Sequence, residues 1–291
     1  MAYELVNLEL SETPVIFATC QSPQEVIMFS PWNTKPDFMP ASLVTPAIVL
    51  RARPYGESDR IVSFLTEKHG KITGIAKGAK RSRKRFVNSL EPFSLIDLRF
   101  QDRPHSNLVF IVTADLVLGF NNLISSLERI ACASYMVEIT DGLIGDRDDS
   151  SLVFHHLKRG LRFLANQDTS LLFLTSFELQ LLRLTGYQPV LFGCKSCGRE
   201  RQSDLKGRWH FNPMEGGILC ERCCRPTRED LPVGAAALAV LADLHNGEVV
   251  PGTSMPAAVL REIRQILLRF IQFQIGRELK SAPFLLKFCT V

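Results

Sequence analysis

The sequence predicts an α+β multidomain protein, an N-terminal β-barrel followed by a helical domain that carries an inserted cysteine-rich module. Three observations predict it. Short runs rich in Val, Ile, Phe and Thr crowd residues 44–119, the periodicity turns helical after Gly119, and two CxxC pairs interrupt the helices. The expected division is an extension over 1–43, a barrel domain over 44–119, a helical domain over 120–193 and 231–291, and the cysteine module over 194–230. With 291 residues, 46% apolar and 22% charged, the chain has ample material for a buried core, which excludes wholesale disorder.

Residues 1–43 scatter Pro14, Pro23, Pro31, Pro36 and Pro40 and read as an irregular extension with one short strand at Val26–Phe29. From Val44 the texture changes. Strand-length runs follow at Ala47–Ala52, Arg60–Thr66, Lys71–Ala76 (after the turn signal His69-Gly70), Phe93–Phe100 and Leu108–Leu116. No helix-length periodic segment separates them. Five such strands are most economically closed into an OB-type barrel, because closure removes exposed sheet edges.

Ser125 with Glu128 three residues on is a capping-box pattern, opening a helix to about Ile144 with the stripe Leu127, Ile130, Ala133, Val137 and Ile144. Further helices are expected over Ser151–Ala165, Thr169–Thr185, Gly234–His245 and Ala257–Gly276. The third is apolar on nearly all sides in its first half, which predicts burial. His155 and His156 are neighbours on a helix, so they point apart and do not share a metal. No run approaches the ~20 apolar residues of a membrane span. Glu4, Glu9 and Glu12 stand where a secretory leader would be basic, so a cytoplasmic protein is expected.

Four of the eight cysteines form a patterned array, Cys194-Lys195-Ser196-Cys197 and Cys220-Glu221-Arg222-Cys223, with 22 residues between the pairs. Two-residue spacing aims both sulfurs of a pair at one ion, and four sulfur ligands with no open position describe a structural Zn2+ site. Cys224 is the alternative fourth ligand. The intervening segment reads as a hairpin, Trp209–Phe211 facing Gly217–Leu219. Cys20, Cys132 and Cys289 are scattered, which fits a reducing compartment better than a disulfide scaffold. Enzyme signatures are missing: the sequence contains no HExxH, no GxxxxGK[ST], no GxGxxG after a strand and no GxSxG.

The net charge of +4 hides its distribution. Residues 44–119 alone carry +6, and Lys77, Lys80, Arg81, Arg83, Lys84 and Arg85 place six cations in nine residues between the third and fourth strands. So dense a run repels itself and must be solvated. Phosphate backbones supply the matching anion density, with counterion release favouring association. Gly78 and Ser82 are expected to keep the loop flexible, Tyr55 and Phe86 to stack on unpaired bases, and Arg51, Arg53, Arg60 and Lys71 to extend the patch.

In this order the motifs Arg53-Pro54-Tyr55-Gly56-Glu57-Ser58-Asp59, Glu67–Lys71, Lys77–Arg85, Leu90-Glu91-Pro92-Phe93, Thr185–Pro189 and the cysteine quartet resemble the bacterial RecO family over roughly residues 44–289. The resemblance implies a non-enzymatic recombination mediator that binds single- and double-stranded DNA and anneals complementary strands. It implies work with RecR, and often RecF, to load RecA onto DNA coated by single-stranded-DNA-binding protein (SSB), and hence a nucleoid-associated location. It also implies a helical-domain groove for the acidic, hydrophobic SSB tail, for which Lys158, Arg159 and Arg162, beside Leu157, Leu161 and Phe163, are the expected rim. The competing expectation is a zinc-ribbon RNA-binding or transcription adaptor using the same barrel surface.

Overall fold

The computed structural model describes residues 41–201, 207–225, 230–246 and 255–288; the strand expected at Val26–Phe29, Cys20 and Cys289 lie outside the described residues. Strands β1 (Leu43–Tyr55), β2 (Asp59–Thr66), β3 (Lys71–Ala76), β4 (Leu95–Gln101) and β5 (Leu108–Leu118) close in the order β1-β2-β3-β5-β4. β3 runs parallel to β5 and every other neighbour is antiparallel, the Greek-key closure of an OB-type barrel.

β1 decides how the barrel joins the rest of the chain. Ala47 and Val49 point into the barrel interior beside Phe64, Ile96, Leu98 and Phe100, whereas Ile48 and Leu50 point outward into the helical core. Between Val49 and Arg51 the register with β2 shifts by a bulge, so Leu50 and Arg51 both face outward and Ala52 returns to the barrel side. Leu65 and Leu95 join Ile48 and Leu50 on that outer face. Burying each contributes roughly 1.5–3 kcal/mol.

Helices α1 (Leu127–Leu143), α2 (Ser151–Asn166), α3 (Leu171–Leu184), α4 (Ala235–Asn246), α5 (Ala257–Ile275) and α6 (Ala282–Phe288) follow. α1 packs against α2, α3, α5 and α6 and is buried on most sides rather than along one stripe. Leu127, expected in that stripe, is exposed. The N-cap is Ser126, not Ser125, whose hydroxyl instead donates to the Asn122 carbonyl inside a preceding 3-10 turn, so the capping box does not form. In the middle of the bundle Tyr135 and Arg264 both donate to the Glu178 carboxylate, joining α1, α5 and α3. Both partners are buried, so removing either one would leave the other as an uncompensated charge inside the bundle.

The cysteine module forms a three-stranded sheet from β6 (Trp209–Asn212), β7 (Gly217–Cys220) and β8 (Leu231–Val233), in the order β7-β6-β8. Trp209, Phe211, Ile218 and Leu219 belong to the same core as the helices, and the Phe211 ring meets Phe270 of α5 edge-on at 5.3 Å. The described residues therefore share one compact unit, Pro40–Val291. No helix among them is long and apolar enough to cross a membrane.

Barrel and helices also touch through backbone. Gly70 lies at φ +67°, and a Cβ there would sit 2.2 Å from the Asp148 carbonyl oxygen, whereas Gly56, at φ +54°, has nothing within 4 Å. Gly56→Ala should cost about 1 kcal/mol from backbone conformation alone. Gly70→Ala should cost about 3 kcal/mol, since the loop before α2 must also move away. Urea unfolding of the two variants checks this, and equal costs would contradict the contact.

Candidate nucleic-acid interface and metal centre

The segment between β3 and β4 is pinned at both ends. At its start the Asp59 carboxylate accepts from the Gly78 amide at 2.8 Å and pairs with Lys77 Nζ at 2.8 Å. The Gly78 amide, the Lys77 ammonium and the Ser58 hydroxyl together bring the Asp59 carboxyl down to about 2. The Lys80 amide donates to the Ser58 carbonyl and Lys80 Nζ to the Gly56 carbonyl, both at 2.9 Å, docking a 3-10 turn (Ala79–Arg81) on the β1–β2 hairpin. At the far end Arg85 reaches back to the Lys77 carbonyl at 2.7 Å, and its own carbonyl accepts from the Ala114 amide of β5. Ser82 Oγ accepts from the Arg85 amide. Gly78, expected to loosen the loop, supplies a left-handed φ of 67° at an anchored turn.

All six cations of the run are exposed. Lys77, Lys80 and Arg85 hold the loop's shape, while Arg81, Arg83 and Lys84 have no side-chain partner among the described residues. Tyr55 is 52% exposed on the adjoining hairpin and Arg53 is exposed on β1. Phe86 is not available for base stacking, because it is 5% exposed and packs in the barrel core with Leu90. With Leu90 it anchors the end of the basic run. Lys71 does not extend the patch either: its half-buried side chain turns to α1, the ammonium donating to the Asp141 carbonyl at 2.8 Å. Arg51, turned outward by the bulge, stands 3.7 Å from Asp141 and lines a different groove of about 780 Å³ between barrel and α1.

On the helical domain, Lys158, Arg159 and Arg162 do line one groove, of about 540 Å³, with His155, Leu152 and Leu184. Leu157 and Leu161 are fully buried and contribute nothing to it. The apolar element lies next door, where Phe163 and Phe173 stack at 4.2 Å in a hollow rimmed by Arg159 and Arg183, a cation not anticipated from the sequence. His155 and His156 diverge as expected, the first toward Glu67 and the second, buried, toward the Phe177 carbonyl.

The four sulfurs of Cys194, Cys197, Cys220 and Cys223 lie within 4.8 Å of one another, and Cys197 and Cys220 are 3.8 Å apart. Four thiolates around one ion at about 2.3 Å lie about 3.8 Å from each other, so the donor set fits a tetrahedral metal and could bind zinc. Burial pushes the Cys194 thiol up, but amides of Cys220, Cys197 and Ser196 outweigh it and bring it to about 6. Hydrogen bonding to the Cys197 and Cys220 thiols, aided by burial, drives Cys223 up to about 12. A bound cation would relieve that crowding. Cys224 is outside the quartet, raised by burial and by Asp230, so Cys223 completes the site.

Two family models match the chain, "Recombination protein O N terminal" over residues 39–120 and "Recombination protein O C terminal" over 124–283. A protein named DNA repair protein RecO from Anaeromyxobacter sp. (strain K) is 37% identical over 240 residues, covering 82% of this chain and 93% of the relative. Proteins of the same name from Myxococcus xanthus (strain DK1622) and Syntrophus aciditrophicus (strain SB) are 34% and 33% identical, over 82% and 83% of this chain and 95% and 94% of their own. With both halves matched in order and the barrel, helices and cysteine quartet in place, this chain belongs to the RecO family.

Proposed function

We propose that the chain is a non-enzymatic mediator of recombinational DNA repair, which binds single- and double-stranded DNA and anneals complementary strands. With RecR, and often RecF, it would help load RecA onto SSB-coated DNA, working at the nucleoid in the cytoplasm. The observation that carries this reading is the basic run on the barrel: Arg81, Arg83 and Lys84 are exposed and unpartnered among the described residues, on a loop whose two ends are fixed. Annealing requires no covalent step. A cationic ridge lowers the repulsion between two phosphate backbones, and contacts made to phosphates alone leave base edges free to pair. Tyr55 on the neighbouring hairpin supplies an aromatic face for one unpaired base.

The quartet supports a structural zinc. Cys194, Cys197, Cys220 and Cys223 would hold it with no position left for water, so its contribution is to tie β7 and the turn at Cys194–Cys197 to the helical core. The acidic, hydrophobic tail of SSB fits the α2–α3 face: Lys158, Arg159 and Arg162 with Arg183 would meet its carboxylates, and Phe163 and Phe173 its apolar end.

Replacing Lys80, Arg81, Arg83, Lys84 and Arg85 together by Gln should weaken oligonucleotide binding at least tenfold with the fold retained. On a single strand, the dependence of log affinity on log salt should become shallower by about 0.7 for every phosphate that the variant no longer neutralises. Undiminished affinity at low salt would refute the phosphate mechanism, and a marked preference for RNA over DNA would favour an adaptor instead. Zinc should purify with the protein at one per chain. In a Trp32→Phe background, stripping it should expose Trp209, which is 4% exposed, and shift its emission to the red. A metal-free protein with unchanged emission and melting would refute the structural role.

A further inference from the structure

Under the basic loop lies a cleft of about 360 Å³, lined by Arg60, Lys80, Arg83, Asn88, Leu90 and Glu91 among others. Its size falls within the range of small-ligand sites. Three of the lining groups are cations and one, Glu91, is a carboxylate. That carboxylate occupies Arg60, accepting from its guanidinium at 2.8 Å, with side-chain exposures of 62% for Glu91 and 30% for Arg60. Arg83 has no side-chain partner among the described residues, and Lys80 reaches the hairpin carbonyl of Gly56 from the same lining.

Carboxylate and phosphate are alternative partners for one guanidinium, both accepting through two oxygens. A pair as exposed as this holds by no more than about fivefold. We propose that Glu91 stands in for a DNA phosphate: it occupies Arg60 in the free protein, and a backbone phosphate of an entering single strand displaces it and takes the guanidinium over. The cleft is then a phosphodiester subsite of the proposed DNA-binding surface, and this inference rests on that reading. Displaced Glu91 must recruit a salt cation, which cancels one of the counterions the DNA releases. Glu91 thereby keeps the grip weak and reversible, as a protein that must let two strands find their register requires.

The test is binding of an oligothymidylate to the full chain by fluorescence anisotropy across a salt series. Glu91→Gln should tighten binding about three- to fivefold and steepen the salt slope by up to about 0.7. Glu91→Ala, which also frees Arg60, should match it. Two controls separate displacement from a general gain of positive charge. Glu57→Gln removes an exposed carboxylate of the β1–β2 turn and should change affinity less than twofold. In an Arg60→Gln background, Glu91→Gln should change nothing. No gain in either Glu91 variant, a gain equal to that of Glu57→Gln, or a gain that persists without Arg60 would overturn the inference while wild-type binding stands. Absence of wild-type binding at low salt would instead overturn the DNA-binding reading itself.

Discussion

β1 is buried on both faces over Ala47–Leu50, and the remainder of the architecture follows from how that stretch is shared. Its alternation feeds Ala47 and Val49 to the barrel and Ile48 and Leu50 to the helices. The bulge after Val49 then lets two successive side chains leave the barrel side. The amide and carbonyl of Val49 are taken up by Ser94 and Phe93, where the chain returns from the basic run. One irregularity therefore fixes the barrel against the helical core and anchors the far end of the 77–94 segment. A barrel attached only by a linker would present the same cations on a drifting support. Here the perch is continuous with the core that also holds the cysteine module.

Charge is sorted by the same packing. Formal counting credits residues 44–119 with a net +6, but availability is what matters to a ligand. Lys71 is consumed by α1, Lys77 by Asp59 and Arg60 by Glu91, and Arg51 is turned toward Asp141. Arg53, Lys68, Arg99 and Arg103 are exposed too but scattered along the chain. What is clustered in the open is the arc Arg81–Lys84, held up by Lys77, Lys80 and Arg85, which carry the same charge but have structural duties. Deep in the bundle the opposite holds. Arg264 and Glu178 are buried together, with Glu178 and the Tyr135 hydroxyl keeping the guanidinium protonated against the effect of burial. A charge there has its partner inside the bundle and no access to a ligand.

Much of this was legible in the sequence. The β3 limits Lys71–Ala76 coincide with the expected run, because a β-branched stretch after His69-Gly70 has few other options. The apolar first half of α3 implied burial, which holds for Leu174 and Phe177, while Leu171, Leu172 and Phe173 at its start are only half-buried. Glu178 gave no sign of its partner 86 residues away. Other features depend on tertiary context. Phe86 at the end of a run of six cations looks like a stacking residue in a linear reading, yet it packs into the barrel core. The capping-box spacing picks Ser125, but the 3-10 turn Asn121–Ser125 takes that residue up and leaves Ser126 as the cap. β8 and α6, with 3 and 7 residues, are too short for a periodic signal and exist through their neighbours. Spacing alone left Cys223 and Cys224 equal; the turn at Cys220 aims only the first at the other sulfurs.

Amide hydrogen exchange of the whole chain, with and without a saturating oligothymidylate, tests most directly whether a fixed cationic arc on the barrel is where nucleic acid is gripped. Protection is predicted over the β3–β4 segment from Lys77 to Glu91 and over the hairpin from Tyr55 to Arg60, with β8 and α6 unchanged. Protection confined to the helices or the cysteine module, with the 77–91 segment exchanging as in the free protein, would contradict it.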